Sequence, residues 1–163
     1  MSGNPEFDSL NSVKYLFLRE LTEPRDNSLR LVVDEAVVNH SAQARIPGLP
    51  ELSEIVKNAS PIETIDGCNR FELYWKHCAA YLVTEELVGS NGTYDDEVFT
   101  GGVFRVYAKS HFLEHLARDT GCHTEPILHY KLICLNHLID VASYVPPQVR
   151  LIALPSQPPH RIQ

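Results

Sequence analysis

Phe71-Glu72-Leu73-Tyr74-Trp75-Lys76-His77-Cys78-Ala79-Ala80-Tyr81-Leu82-Val83-Thr84 is the stretch whose reading decides the fold. Its odd positions run Phe71, Leu73, Trp75, His77, Ala79, Tyr81 and Val83, while Glu72, Lys76 and Thr84 fall on even ones. A period of two is the mark of a strand with one face buried. One unbroken strand over this length would span roughly 43 Å, too long for a small sheet, so the spacing predicts a bend near Lys76 to Ala79.

On the N-terminal side, Val13 to Leu21 and Leu29 to Val38 alternate in the same way. Between them Glu23-Pro24-Arg25-Asp26-Asn27 is dense in turn formers, so the pair reads as an antiparallel hairpin with a loop of about five residues. Residues 39–60 lose periodicity around His40, Pro47, Gly48 and Pro50, and Pro50 to Val56 has room for one short helical turn. On the C-terminal side, Ser90-Asn91-Gly92 marks a turn, Tyr94 to Glu97 an acidic tip, and Val103 to Tyr107 another strand. Lys109 to Thr120 is the best helix: Ser110 can cap it, Phe112, Leu113, Leu116 and Ala117 form a stripe, and Gly121 sits where a left-handed residue is wanted. Residues 127–143 fit either a helix or two short strands joined at Asn136-His137. The β-branched Ile133, Ile139 and Val141 favour strands. Gln148 to Leu154 adds an edge strand. The expected fold class is α+β, a mainly antiparallel, bent β-sheet with one principal helix over about 110–120 packed on it. It forms a single domain over 1–154 with a Pro-rich, flexible C-terminal tail over 155–163.

The 163 residues carry twenty-one acidic and fourteen basic side chains, a formal charge of −7. No basic run is present to neutralise a phosphate backbone, which argues against nucleic acid as a partner. No apolar run is long enough to span a bilayer, and Met1 to Asp8 lack the basic and apolar regions of a secretory signal, so no membrane partner and a cytoplasmic location are expected. Cys68, Cys78, Cys122 and Cys134 contain no C-x-x-C pair and read as free thiols.

Phe71-Glu72-Leu73-Tyr74-Trp75-Lys76, Phe104-Arg105-Val106-Tyr107-Ala108-Lys109-Ser110-His111-Phe112-Leu113, His129-Tyr130 and Leu132-Ile133-Cys134-Leu135-Asn136-His137-Leu138-Ile139-Asp140-Val141 together resemble an uncharacterised family of small bacterial proteins. Tyr15 to Leu21 and Leu29 to Val33 share the likeness, which covers most of residues 13–150. The resemblance implies a bacterial, soluble, single-domain protein of unknown function, with no assigned activity, catalytic residue or cofactor.

Five of the twenty-one acids, Glu85, Glu86, Asp95, Asp96 and Glu97, flank the Ser90-Asn91-Gly92 turn. They suggest an acidic loop surface for a basic protein partner, of the immunity or inhibitor type, with a solvated loop as the plainer alternative. His111 and His115 share a helix face and can ligate a metal if Cys122, His123 or Glu125 supplies a third donor; half-exposed histidines beside an apolar stripe explain them equally. Cys134, His137 and Asp140 supply thiol, base and orienter, although neither helical nor strand spacing assembles them, so any triad needs a distant histidine such as His77 or His129. Cys134 in its apolar setting reads as a buried hydrophobe. No phosphate-loop, dinucleotide or serine-hydrolase motif occurs. The leading expectation is a non-catalytic interaction domain that needs no cofactor. The alternatives are a metal- or thiol-dependent hydrolase using His111 and His115 with Cys122 or Cys134, and a small-molecule binding module with a pocket between the central strand and the helix. Aromatic area near a sheet edge is compatible with a homodimer.

Overall fold

A computed structural model describes residues 5–43, 56, 58–87, 96–121 and 126–153. The expected turn at Ser90-Asn91-Gly92, the stretch around Pro47 and Pro50, and the tail over 155–163 lie outside the described residues. The hairpin forms as its alternation predicts: β1 (Tyr15–Thr22) pairs antiparallel with β2 (Leu29–Val38). Ser28 closes the turn by donating its hydroxyl to the Arg25 carbonyl and accepting the Arg25 amide, while Asn27 takes a left-handed φ of 58°, which asparagine tolerates. β2 continues to the short β3 (Ile62–Glu63) and to β4 (Arg70–Trp75), and β4 pairs with the edge strand β10 (Gln148–Ile152). This first sheet runs β1-β2-β4-β10.

The second sheet runs β5-β9-β8-β7-β6, all antiparallel: β5 (Cys78–Glu85), β6 (Val98–Gly101), β7 (Phe104–Lys109), β8 (Leu128–Ile133) and β9 (His137–Ser143). Residues 127–143 are thus two strands. The long alternating stretch is likewise two strands, and here the expectation of one bent sheet is corrected. The chain breaks at Lys76-His77 and crosses from the first sheet to the second. Its inward phase slips from Trp75 to Cys78, and a bulge at Ala79 returns it to Tyr81 and Val83, so the sequence keeps an almost unbroken alternation across two sheets.

Both sheets close on one core, in which Leu29, Leu31, Val33, Phe71, Leu73 and Trp75 from the first meet Phe104, Tyr130, Leu132, Ile139 and Val141 from the second. Trp75 reaches Tyr130 at 6.0 Å between ring centroids, and Phe104 stacks on Tyr130 at 5.7 Å. Burying each of these large side chains contributes about 1.5–3 kcal/mol.

Two helices flank the sheets rather than one principal helix. α1 (Pro5–Ser12) is too short to show periodicity, yet it buries Leu10 and sets Phe7 edge-on to Phe104. α2 (His111–Thr120) is the helix the sequence predicts. The Ser110 hydroxyl accepts from the Leu113 amide at 3.1 Å, and Gly121, at a φ of 64°, donates its amide to the Ala117 carbonyl. No α2 residue is fully buried. The helix lies on the outer face of the second sheet, where Phe112 meets His129.

The outer face of the first sheet is a lattice of ion pairs. Asp34 takes Arg70 and Arg19, while Glu72 takes Arg30 and Arg150, and Arg30 also reaches Glu20. Burial pushes Asp34 up, but hydrogen bonds from Arg70 and Arg19 outweigh it and hold the carboxyl below its ordinary value. Hydrogen bonds from Arg30 likewise hold Glu72 down against its burial. The exposed edge of β1 is covered: Leu135 donates its amide to the Leu16 carbonyl, and the Asn136 side chain pairs with both backbone groups of Leu18.

Candidate functional site

The crossing at Lys76-His77 leaves space beside it, because β4 ends against one sheet and β5 begins in the other. A cavity of about 540 Å³ occupies that space. His77, Cys78 and Ala79 line it from the crossing, and Asn27 from the β1–β2 turn, whose carbonyl accepts the Cys78 amide at 2.6 Å. Leu116 and Thr120 close it from α2. Ile127, just before β8, and Tyr144, just after β9, complete the wall. The crossing is pinned by Ser143, whose hydroxyl lies 2.5 Å from the His77 carbonyl and 2.8 Å from that of Val145.

The lining residues are apolar at Leu116, Ile127 and Ala79 and neutral and polar at Asn27, Thr120 and Tyr144, with His77 beside them. Burial pushes the Cys78 thiol up to about 11, only partly relieved by its hydrogen bond to the Ala80 carbonyl, so the sulfur enters the wall as a neutral thiol. No carboxylate, lysine or arginine lines the space among the described residues. It is therefore suited to an uncharged or weakly charged organic molecule with an apolar body and a polar end.

The acidic positions are not brought together. β5 and β6 are the opposite edges of the second sheet, and the antiparallel order puts the end of β5 and the start of β6 at opposite ends of those edges. Glu85 and Glu86 thus sit at one corner, and Asp96 and Glu97 at the diagonal one, with three strands between. Asp95 lies outside the described residues. Asp96 pairs with Lys109 and with His111 Nε2, both at 2.8 Å, and Glu97 accepts the His111 amide at 2.9 Å. These two carboxylates secure the start of α2, where the helix dipole favours negative charge. Hydrogen bonds from Lys109 and His111 bring the Asp96 carboxyl down to about 2.

His111 and His115 each face carboxylates of their own neighbourhood. His111 also lies 3.3 Å from Glu114, and His115 lies 3.4 Å from Asp119. Cys122 and His123 are outside the described residues, and among the described residues no three His, Cys, Asp or Glu side chains are arranged to hold a metal ion.

Asp140 does orient a histidine, but that histidine is His129 rather than His137. The His129 Nε2 to Asp140 Oδ1 distance is 2.9 Å, both residues are buried, and Lys131 approaches the same oxygen at 3.4 Å. The imidazole stacks on Tyr107 at 4.3 Å and meets Phe112 at 5.0 Å. Alternation along β8 and β9 puts this pair on the outer face of the sheet, whereas Cys134 belongs to the core on the inner side, its thiol pushed up to about 12 by burial. The sheet itself separates thiol from dyad. The His129–Asp140 pair escapes a sequence reading because its members come from neighbouring strands whose register is not local.

The chain matches no protein-family model, no curated protein and no solved structure. Among the described residues no helix is long and apolar enough to cross a membrane.

Proposed function

We propose that the protein is a small-molecule binding module whose ligand occupies the cavity between the β4–β5 crossing and α2. The observation that carries this reading is the cavity: about 540 Å³, within the range that holds drug-sized ligands, and lined by apolar residues with a few neutral polar ones. The raised thiols of Cys78 and Cys134 favour binding over thiol chemistry, since a nucleophilic cysteine needs a lowered value. Glu85 and Glu86 lie diagonally across the second sheet from Asp96 and Glu97, so the cavity reading is preferred to one that needs these four carboxylates on a single surface.

Titration with N-phenyl-1-naphthylamine, an uncharged aromatic probe with one polar N–H, tests this. One probe molecule per chain should bind, and Leu116→Trp or Ala79→Trp, each of which fills the space, should abolish binding with the melting temperature little changed. Binding that survives both substitutions places the probe elsewhere and removes the proposal.

A further inference from the structure

The two helices are fastened in different ways. α1 is held along its length: Leu10 is buried, Phe7 meets Phe104, and the Asn11 side chain accepts the amides of Gly102 and Phe104 at 2.8 and 3.0 Å. α2 is held mainly at one end. Its first turn is fixed to the body by the His111 amide on Glu97, the His111 ring on Asp96 and the Phe112 ring on His129. From Glu114 to Asp119, by contrast, every side-chain hydrogen bond and ion pair among the described residues stays within the helix: Glu114 with His111, His115 with Asp119, and Arg118 on the Glu114 carbonyl. The apolar stripe here is only half-buried at Leu113, Leu116 and Ala117. Leu116 lines the cavity, so part of its surface meets space where a sheet would supply contacts.

We infer that the second half of α2, Glu114 to Thr120, is a lid on the cavity: it melts away and re-forms while the first turn and both sheets stay folded, and a ligand in the cavity holds it shut. What the lid covers rests on the cavity reading. Helix length explains why opening means melting. A free helix shorter than about 12–15 residues is marginal in water, because few hydrogen bonds repay the cost of nucleation, so the ten residues of α2 persist as a helix only while their stripe is seated. Under the first turn that seat is His129 and the Asp96–Glu97 pair; under the second half it is the cavity wall. A ligand touching Leu116 and Thr120 adds contacts at the weaker seat. Those contacts exist only in the closed form, so binding shifts the population toward it.

Amide hydrogen exchange of the full chain, followed residue by residue at several low urea concentrations, tests this. The amides of Leu116 to Thr120 should be about 100-fold or more less protected than those of β8 and β9. Their exchange should hardly respond to urea, because local opening exposes little surface, whereas β9 should follow global unfolding. Arg118→Gly, at an exposed position, should speed their exchange about fivefold through helix propensity alone. N-phenyl-1-naphthylamine at about ten times its Kd should slow it about elevenfold, the factor for a ligand that binds only the closed form. Protection equal to that of β9, a urea response that tracks β9, or a probe bound in the cavity with α2 exchange unchanged overturns the inference. A probe that does not bind removes the cavity reading, and exchange in the ligand-free chain then decides by itself whether the helix opens.

Discussion

Thiol reactivity separates the binding reading from a thiol hydrolase, and the structure sets its size. Cys78 is raised to about 11 and Cys134 to about 12, in both cases by burial. At about pH 8 an ordinary thiol near 8.5 is about one-quarter thiolate, Cys78 about one part in 1,000 and Cys134 about one in 10,000. A more basic thiolate is a better nucleophile, with a Brønsted slope of about 0.4–0.5, which returns about 13-fold to Cys78 and about 40-fold to Cys134. Alkylation of the native protein should therefore be about 20-fold slower at Cys78 and about 60-fold slower at Cys134 than at the same cysteines in the denatured chain, before steric shielding slows it further. The assay is a time course with iodoacetamide, followed by peptide mapping, in native buffer and in denaturant. Both native rates should climb about tenfold per pH unit up to about pH 10, where an ordinary thiol has already levelled off. A native Cys134 reacting within a few-fold of its denatured rate, or a rate that levels off near neutrality, would refute the reasoning and make Cys134 a candidate nucleophile again.

Asp34→Asn removes the buried anion between Arg70 and Arg19. Breaking a buried pair costs about 3–5 kcal/mol, but Arg19 is close to half exposed and solvent screens its share, so about 2–3 kcal/mol is expected, or about 5–10 °C in melting temperature. Because the folded Asp34 lies below its unfolded value of about 3.9, its contribution is complete above that value and vanishes as pH falls through the folded one; the gap between wild type and variant should be flat from about pH 5 to 8 and close only in stronger acid. At α2, the hydrogen bond to Asp96 raises His111, so the tether is fully present below about pH 6.5 and is lost as pH rises through the folded value. Protection factors of the amides in the first turn of α2, which divide out base-catalysed exchange, should fall over that window, and His111→Gln should make them independent of pH there; a His111 proton titration centred below about 6.5 contradicts the pairing.

Features carried by neighbouring residues were legible in the sequence. The hairpin of β1 and β2 follows from alternation and the Glu23 to Asn27 turn, and α2 from Ser110, its apolar stripe and Gly121, because caps and turns are satisfied within a few residues. Elements without a local signal were not. α1 is only eight residues long, and the bulge at Ala79 compensates the break at Lys76-His77 so that two strands imitate one. The acidic positions look adjacent along the chain, yet strand order sends them to opposite corners.

By itself the sequence determined an antiparallel α+β chain with a capped surface helix and no charge pattern for nucleic acid, since alternation, capping and net charge are properties of the chain read in order. Only the tertiary structure decided which sheet each strand joins, that Asp140 meets His129 rather than His137, and that the crossing opens a cavity against α2. Those outcomes depend on register between segments far apart in the chain, and register is set by how whole faces bury against each other, which no local spacing encodes.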